Sequence, residues 1–359
     1  MAGKIPATVV TGFLGSGKTT LIRHLLNTSQ GKRIALVINE FGDLGVDGDI
    51  LRSCGVTRCR DEDIFELSNG CICCTVAEDF VPTLEKLLDR ADPPDHIIIE
   101  TSGLALPQPL VRAFNWPAIR TRVTVDGVVT VVDGKALAEG RFAHDETAVD
   151  AQRKADNGLD HETPLSELFE DQMACADLVI VNKTDLLTET EAEALARRLR
   201  QETREGVQVV RATMGALPAQ IVLGQGIGAE DDLAARHERH HHHDHDHEEG
   251  ADYSHGHHHH HDHGHDDFES FVFETGEIAD PAGFTARIGE TIGTHDILRL
   301  KGFVAVKGKP MRLTVQAVGP RIDSYFDRPF TADEPRATRL VVIGQAGMDR
   351  AAILRDLSA

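Results

Sequence analysis

No run of eighteen apolar residues occurs in this 359-residue sequence, so no segment is long enough to cross a bilayer as a helix. The first apolar run follows Met1 almost at once, so no secretion leader is expected. A cytoplasmic setting without a membrane partner is expected. Positive charge is scarce: 37 Lys and Arg stand against 58 Asp and Glu, a net charge of −21. A chain this acidic is poorly suited to neutralising phosphate backbones, which argues against a nucleic-acid partner. Cysteine is sparse as well. The six, Cys54, Cys59, Cys71, Cys73, Cys74 and Cys175, read without an export signal as thiols or metal ligands, not disulfides.

What the chain does have is length for two domains and a 41% hydrophobic content, normal for a globular fold carrying one polar insertion. Its organising stretch is Gly12-Phe13-Leu14-Gly15-Ser16-Gly17-Lys18-Thr19, a complete G-x-x-x-x-G-K-[ST] phosphate loop. Ile5, Val9 and Val10 before it read as a strand, and Leu21, Ile22, Leu25 and Leu26 after it have helical spacing. Glycines let successive backbone N–H groups point inward, and the following helix N-terminus adds its dipole, so the loop attracts a phosphate chain. Gly12, Gly15, Ser16, Gly17, Lys18, Thr19 and Thr20 form the expected cradle. Lys18 would reach the β- and γ-phosphates and the Thr19 hydroxyl would hold Mg²⁺.

Strands are expected at 5–11, 33–39, 64–67, 96–99, 123–132, 178–181 and 207–210, with helices between them. That alternation predicts an α/β domain, a P-loop NTPase with a mainly parallel sheet and right-handed crossovers, over residues 1–224. Thr188, with Glu191 three residues on, signals a capping box opening a helix that runs to about Arg204. Residues 225–267 form a His/Asp-rich linker. Fifteen of the twenty histidines lie between His237 and His265, a composition that buries no core and is expected to be disordered without metal. Residues 268–359 read as a small α+β domain: strands near 270–274, 297–306, 311–317 and 339–343, a helix near 281–292, and a short terminal helix.

Several stretches carry chemistry. Glu100 ends a predicted strand three residues before Gly103; it would hold Mg²⁺ through water, and the Gly103 amide would meet the γ-phosphate. Lys18 and Glu100 are therefore the candidate catalytic residues. The group positioning the attacking water is open between Asp43 and Glu100. Asn182-Lys183-Thr184-Asp185 is an N-K-x-D motif after a strand. A carboxylate at Asp185 accepts both N1–H and the exocyclic amine of guanine, which adenine does not offer there, and an unpaired buried carboxylate is costly. Asn182 would meet the other edge of the base and the Lys183 stem would cover its face. The loop 211–213 is a weaker candidate for the last base contact.

Cys71, Cys73 and Cys74 put three thiols within four residues, the pattern of a soft-metal site. Two or three of them would ligate, with a non-cysteine ligand such as Glu40 completing a tetrahedron. Buried structural cysteines and a redox trio are the alternatives. Gly42, Gly45 and Gly48 give the stretch after Glu40 the composition of a switch region. Cys54 and Cys59 are auxiliary ligands or packing residues, and Cys175 reads as core. In the linker, His240, His241, His242, His243, His257, His258, His259, His260 and His261 offer dense imidazoles for Zn²⁺, Co²⁺ or Ni²⁺, against the alternative of a plain solvated spacer. His24, His96, His144, His161 and His295 have ordinary structural readings.

T-G-F-L-G-S-G-K-T-T, N-E-F-G, G-C-I-C-C, E-T-S-G and N-K-T-D occur here in an order that resembles the CobW family of metal-handling GTPases. The resemblance covers residues 5–211 and extends into the C-terminal region. The stretches around C-x₄-C, L-D-H-E-T-P-L-S-E-L-F-E-D-Q and I-L-R-L-K-G-F-V-A-V-K-G-K-P look like the cobalamin-biosynthesis subgroup. The resemblance implies a GTP-dependent metallochaperone coupled to GTP hydrolysis, with GTP and Mg²⁺ as cofactors, Co²⁺ as the metal and cobaltochelatase as the recipient; a metal buffer or storage protein with a regulatory nucleotide site is an alternative. The same family holds zinc chaperones, and tetrahedral thiolate does not separate Zn²⁺ from Co²⁺ by ligand type. Nothing in the sequence fixes the oligomeric state.

Overall fold

A computed structural model describes residues 4–29, 31–38, 64–66, 80–155, 164–231, 268–295, 297–331 and 334–359. The first part is a seven-stranded sheet in the order β3-β2-β4-β1-β5-β6-β7. Its strands are β1 (Ile5–Thr11), β2 (Ile34–Ile38), β3 (Ile64–Glu66), β4 (His96–Glu100), β5 (Val123–Asp133), β6 (Leu178–Asn182) and β7 (Gln208–Arg211). Every pairing is parallel. A parallel sheet is covered on both faces, so its strands are apolar throughout. Ile34–Ile38 and Leu178–Asn182 are buried at every position.

Successive residues point to opposite faces. Ala7, Val9, Ala35, Val37, Ile97 and Ile99 pack beneath α2 (Val81–Leu88) and α3 (Pro107–Ala113). On the same face, Val179, Val181 and Val209 meet α6 (Leu165–Cys175) and α7 (Glu189–Glu202). Two short helices, α4 (Gly134–Ala138) and α5 (Glu146–Ala155), lie between β5 and α6. Thr188 and Glu191 close the expected capping box on α7. The opposite face carries Val10, Leu36, Ile98, Val129, Ile180 and Val210 under α1 (Lys18–Thr28) and the four-residue α8 (Ala219–Val222). Leu298 and Ile343, from beyond the linker, join that same core.

The second part is an antiparallel sheet in the order β11-β10-β9-β12-β8. It comprises β8 (Phe268–Thr275), β9 (Arg299–Ala305), β10 (Met311–Val318), β11 (Arg321–Pro329) and β12 (Thr338–Gln345). Helices α9 (Pro281–Thr294) and α10 (Arg350–Ser358) cover one face through Phe284, Ile288, Ile353 and Leu357. His295, at the end of α9, pairs with Asp356 of α10 at 2.7 Å. β11 was not among the expected strands: it is mostly exposed and its sequence, RIDSYFDRP, has no apolar alternation. Among the described residues, no helix is long and apolar enough to cross a membrane.

Candidate nucleotide site

The phosphate loop leaves β1 at Thr11 and enters α1 at Lys18. Gly12, Gly15 and Gly17 have φ of 134°, 76° and 103°, a backbone region that side chains rarely tolerate. Two of them are also crowded. A Cβ on Gly12 would lie 2.0 Å from the Val131 carbonyl oxygen, and one on Gly17 would lie 2.2 Å from Asn182 Nδ2. No side chain caps the N-terminus of α1, which opens directly from the loop. Ser16 is buried, and its Oγ has no hydrogen-bond partner among the described residues. Lys18 is buried, and its ammonium donates to the carbonyls of Gly12 at 2.8 Å and Phe13 at 3.3 Å. Curled glycines, a helix N-terminus and an inward lysine are what a phosphate chain requires.

Glu100 is buried at the end of β4, in parallel register with Val10 of β1. The Thr19 hydroxyl donates to its Oε1 at 3.2 Å. A hydroxyl beside a carboxylate is an oxygen donor set that suits Mg²⁺. A Cβ on Gly103 would stand 2.7 Å from the Leu14 nitrogen, so this glycine packs directly on the phosphate loop. Thr20 follows on α1, half-buried. Gln172 of α6, a residue given no role from sequence, donates from Nε2 to the carbonyls of Gly103 at 3.0 Å and Ala105 at 3.3 Å. It fixes the loop after β4, and no local pattern marks it.

The N-K-x-D stretch ends β6 on the same side of the sheet. Asn182 was expected to meet the base. Its side chain ties two loops together: Nδ2 donates to the Ser16 carbonyl at 2.9 Å, and Oδ1 accepts from Gly215 N at 2.9 Å. Lys183 adopts φ 60°, and its ammonium reaches Oδ2 of the buried Asp133 at 2.5 Å. Asp133 also caps α4, accepting from Ala136 N at 3.0 Å. Asp185 is exposed. The loop after β7 lies alongside: Thr184 N and Oγ1 both donate to the Ala212 carbonyl, and Thr184 Oγ1 is 3.3 Å from Thr213 Oγ1. The next residue, Met214, has φ 52° and is 65% exposed, which presents the loop tip outward beside Asn182.

Glu40, Asp43, Cys54, Cys59, Cys71, Cys73, Cys74, His161 and the histidines from His237 to His265 lie outside the described residues. No group of three or more metal-ligating side chains occurs among the described residues. The strands leading to the first two groups are described, however. Ile38 of β2 is in register with Glu66 of β3 and with Glu100 of β4. β2 and β3 therefore end, two residues before Glu40 and five before Cys71, at the edge that carries Glu100.

Cys175 is buried, as its reading as core implied. His96 is less ordinary than expected. It is fully buried, with Nε2 2.8 Å from Thr8 Oγ1, and the Thr8 hydroxyl donates onward to Asp126 Oδ2 at 3.2 Å. The ring Nε2 is then the donor to Thr8, and Nδ1 has no hydrogen-bond partner among the described residues. Burial pushes the imidazole down to about 4, against the opposing pull of Asp126.

A glycine phosphate loop at the edge of a parallel sheet, a hydroxyl–carboxylate pair beside it and an N-K-x-D loop define a P-loop GTPase. The CobW/HypB/UreG nucleotide-binding domain matches residues 6–211, and the cobalamin synthesis protein cobW C-terminal domain matches residues 268–359. The chain belongs to the CobW/HypB/UreG family. It is 57% identical over 357 residues to "Zinc chaperone CobW" of Sinorhizobium sp, covering 99% of this chain and 97% of that one. To the Pseudomonas aeruginosa protein of the same name it is 52% identical over 361 residues, covering 99% and 91%. To "Zinc chaperone YjiA" of Escherichia coli it is 30% identical over 350 residues, covering 95% and 94%. Among solved structures, Zn(II)-bound YjiA GTPase from E. coli aligns over 99% of both chains at 21% identity, with a TM-score of 0.39.

Proposed function

We propose that this protein is a GTP-driven metallochaperone in which nucleotide state sets the affinity of a thiolate metal site. The phosphates would sit on Gly12–Thr20 and the Gly103 amide, with Lys18 turning from the loop carbonyls to the β- and γ-phosphates. Thr19 and Glu100 would hold Mg²⁺, which supplies charge neutralisation across those phosphates. Asp185 would read guanine, with the Lys183 stem over the base and Asn182 bracing the pocket. Lys18 and Glu100 would carry hydrolysis.

The observation that carries this reading is the register of Ile38, Glu66 and Glu100 at one sheet edge. Glu40 follows Ile38 by two residues and Cys71 follows Glu66 by five. A nucleotide at that edge stands where the chain sets out towards both halves of a Glu40–Cys71–Cys73–Cys74 site. Ordering of such a segment by the γ-phosphate and Mg²⁺ would tighten the site, and hydrolysis would loosen it for delivery.

The cargo we favour is Zn²⁺, on the names of three relatives that span nearly the whole chain. Co²⁺, delivered to a cobaltochelatase, is the second reading, favoured by the cobalamin-synthesis description of the domain matching residues 268–359. His240–His243 and His257–His261 would gather metal weakly ahead of the tight site. A cytoplasmic setting fits this role.

Metal affinity measured on the full chain with Mg²⁺GTP, Mg²⁺GDP and neither tests the proposal. GTP should tighten Zn²⁺ binding by about tenfold or more, and the metal must then tighten GTP by the same factor. Equal affinities in all three states would sink the mechanism. Competition between Zn²⁺ and Co²⁺ at buffered concentrations separates the two cargoes.

A further inference from the structure

The short helix α8 ends in carbonyls that its four residues cannot satisfy internally. Arg299, the first residue of β9 in the second sheet, supplies the donors. Its Nη1 donates to the carbonyls of Gln220 and of Leu223, the latter at 2.6 Å, and its Nη2 to that of Gly224. The guanidinium is almost fully buried, and burial lowers its basicity, against which Asp126 pulls upward. Asp126 of β5 holds the other side of the same segment. Its Oδ2 accepts from Gly224 N at 2.5 Å and its Oδ1 from Gly226 N at 2.7 Å. One side chain from each sheet thus grips Leu223–Gly226, one through carbonyls and the other through amides.

Burying a guanidinium is expensive, and an apolar residue would dock two surfaces more simply. What a planar fork bonded to three carbonyls adds is a fixed geometry. The upstream end of the gripped segment shows where that geometry leads. Gly215, nine positions before Gly224, donates to Asn182 Oδ1, and a Cβ there would stand 2.8 Å from the Leu21 backbone of α1. Between them, Leu217, Ile221, Val222 and Leu223 are buried in the core that also holds Leu21, Ile22, Leu298 and Ile343. The span 215–226 is therefore tied at one end to the N-K-x-D asparagine, packed along its middle, and clamped at the other end by the second domain.

We infer that Arg299 is a positioning residue for guanine nucleotide binding. By fixing the end of α8 it holds the loop 213–215, and through Gly215 the Asn182 amide, in the arrangement that receives the base. Occupancy of the base pocket and docking of the five-stranded domain are then linked, and each strengthens the other by the same factor. This inference stands on the GTPase site alone and does not depend on which metal the protein carries.

Arg299→Gln and Arg299→Lys in the full chain test it, with Arg312→Gln as the comparison. Arg312 is another arginine of the same sheet, less deeply buried, bonded to Asp327 and Glu334 and paired at the opposite end of the β9–β10 ladder from Arg299. Release of a fluorescent GDP analogue is followed by stopped flow. Arg299→Gln should speed release by about tenfold, with partial recovery in Arg299→Lys, while Arg312→Gln leaves the rate unchanged. A lowered melting temperature with an unchanged release rate in Arg299→Gln would mean a merely structural brace and overturn the inference. Should the Arg299 variants not fold, amide hydrogen exchange on the wild-type chain decides. GDP must slow exchange at Gly224 and Gly226 as well as at Gly215; protection confined to Gly215 and the phosphate loop overturns the link.

Discussion

Lys183 and Asp133 form a 2.5 Å ion pair between the ends of two neighbouring parallel strands, β6 and β5. Lys183 would cover one face of the guanine, so the carboxylate decides where that cover lies. Asp133 is itself immobilised by the Ala136 amide. Lys183 has a positive φ, and a Cβ on Gly134 would stand 2.8 Å from the Asn182 carbonyl oxygen, so the two strand ends pack closely.

Asp133→Asn should therefore weaken GTP and GDP equally, because the affected contact lies at the base. Loss of a charge-assisted bond of this kind is worth about 1.5–3 kcal/mol, or roughly ten- to a hundredfold in Kd. Calorimetric titration with both nucleotides checks it. A loss confined to GTP would point instead to a role at the γ-phosphate.

Thr19→Ala and Glu100→Gln should act on the other end of the nucleotide. Hydrolysis should fall by about 10²-fold or more, the scale of removing one electrostatic stabiliser of a transition state. GDP binding without Mg²⁺ should stay close to the wild-type value. Single-turnover hydrolysis and Mg²⁺-dependent binding measure the two effects separately.

The loop glycines should differ in tolerance. Gly15→Ala meets no atom within 4 Å, so its penalty is the backbone strain of φ 76°, about 1–2 kcal/mol. Gly17→Ala adds a methyl 2.2 Å from the Asn182 amide at φ 103°. It should displace that brace and abolish measurable nucleotide binding, while Gly15→Ala retains it. Denaturant unfolding and nucleotide titration on both variants make the comparison.

Acid stability should depend on His96. Its folded pKa of about 4 lies below the ordinary 6.5, so the unfolded chain takes up a proton first as pH falls. Stability is then full above about pH 6.5 and declines between 6.5 and 4, by up to about 3 kcal/mol. His96→Gln removes this titration and should flatten the pH dependence in that window. Urea unfolding at pH 7, 6, 5 and 4 gives the slope; an unchanged slope in the variant would contradict the assignment.

Much of the first domain was legible because its signals are local. The glycine spacing of the phosphate loop, the apolar runs of β2, β4 and β6, and the Thr188–Glu191 capping box each lie within a dozen residues. Asp133, Gln172 and Arg299 escaped for the opposite reason. Each acts on a partner fifty or more positions away, with no pattern nearby to announce it. His96 read as ordinary since Thr8 stands 88 positions upstream. β11 escaped because it is an edge strand exposed over most of its length, with only Ile322 packed on the core and no alternating pattern to reveal it.

Leu298 and Ile343 belong to the same apolar cluster as Leu21, Ile98 and Ile180, so the seven-stranded sheet shares its core with the second domain. Heat should consequently melt the described protein in one calorimetric transition, not as two separable halves. A fragment stopped at residue 231 would leave greasy sheet bare to water and tend to clump, which makes excision of residues 268–359 a poor way to learn what that half contributes.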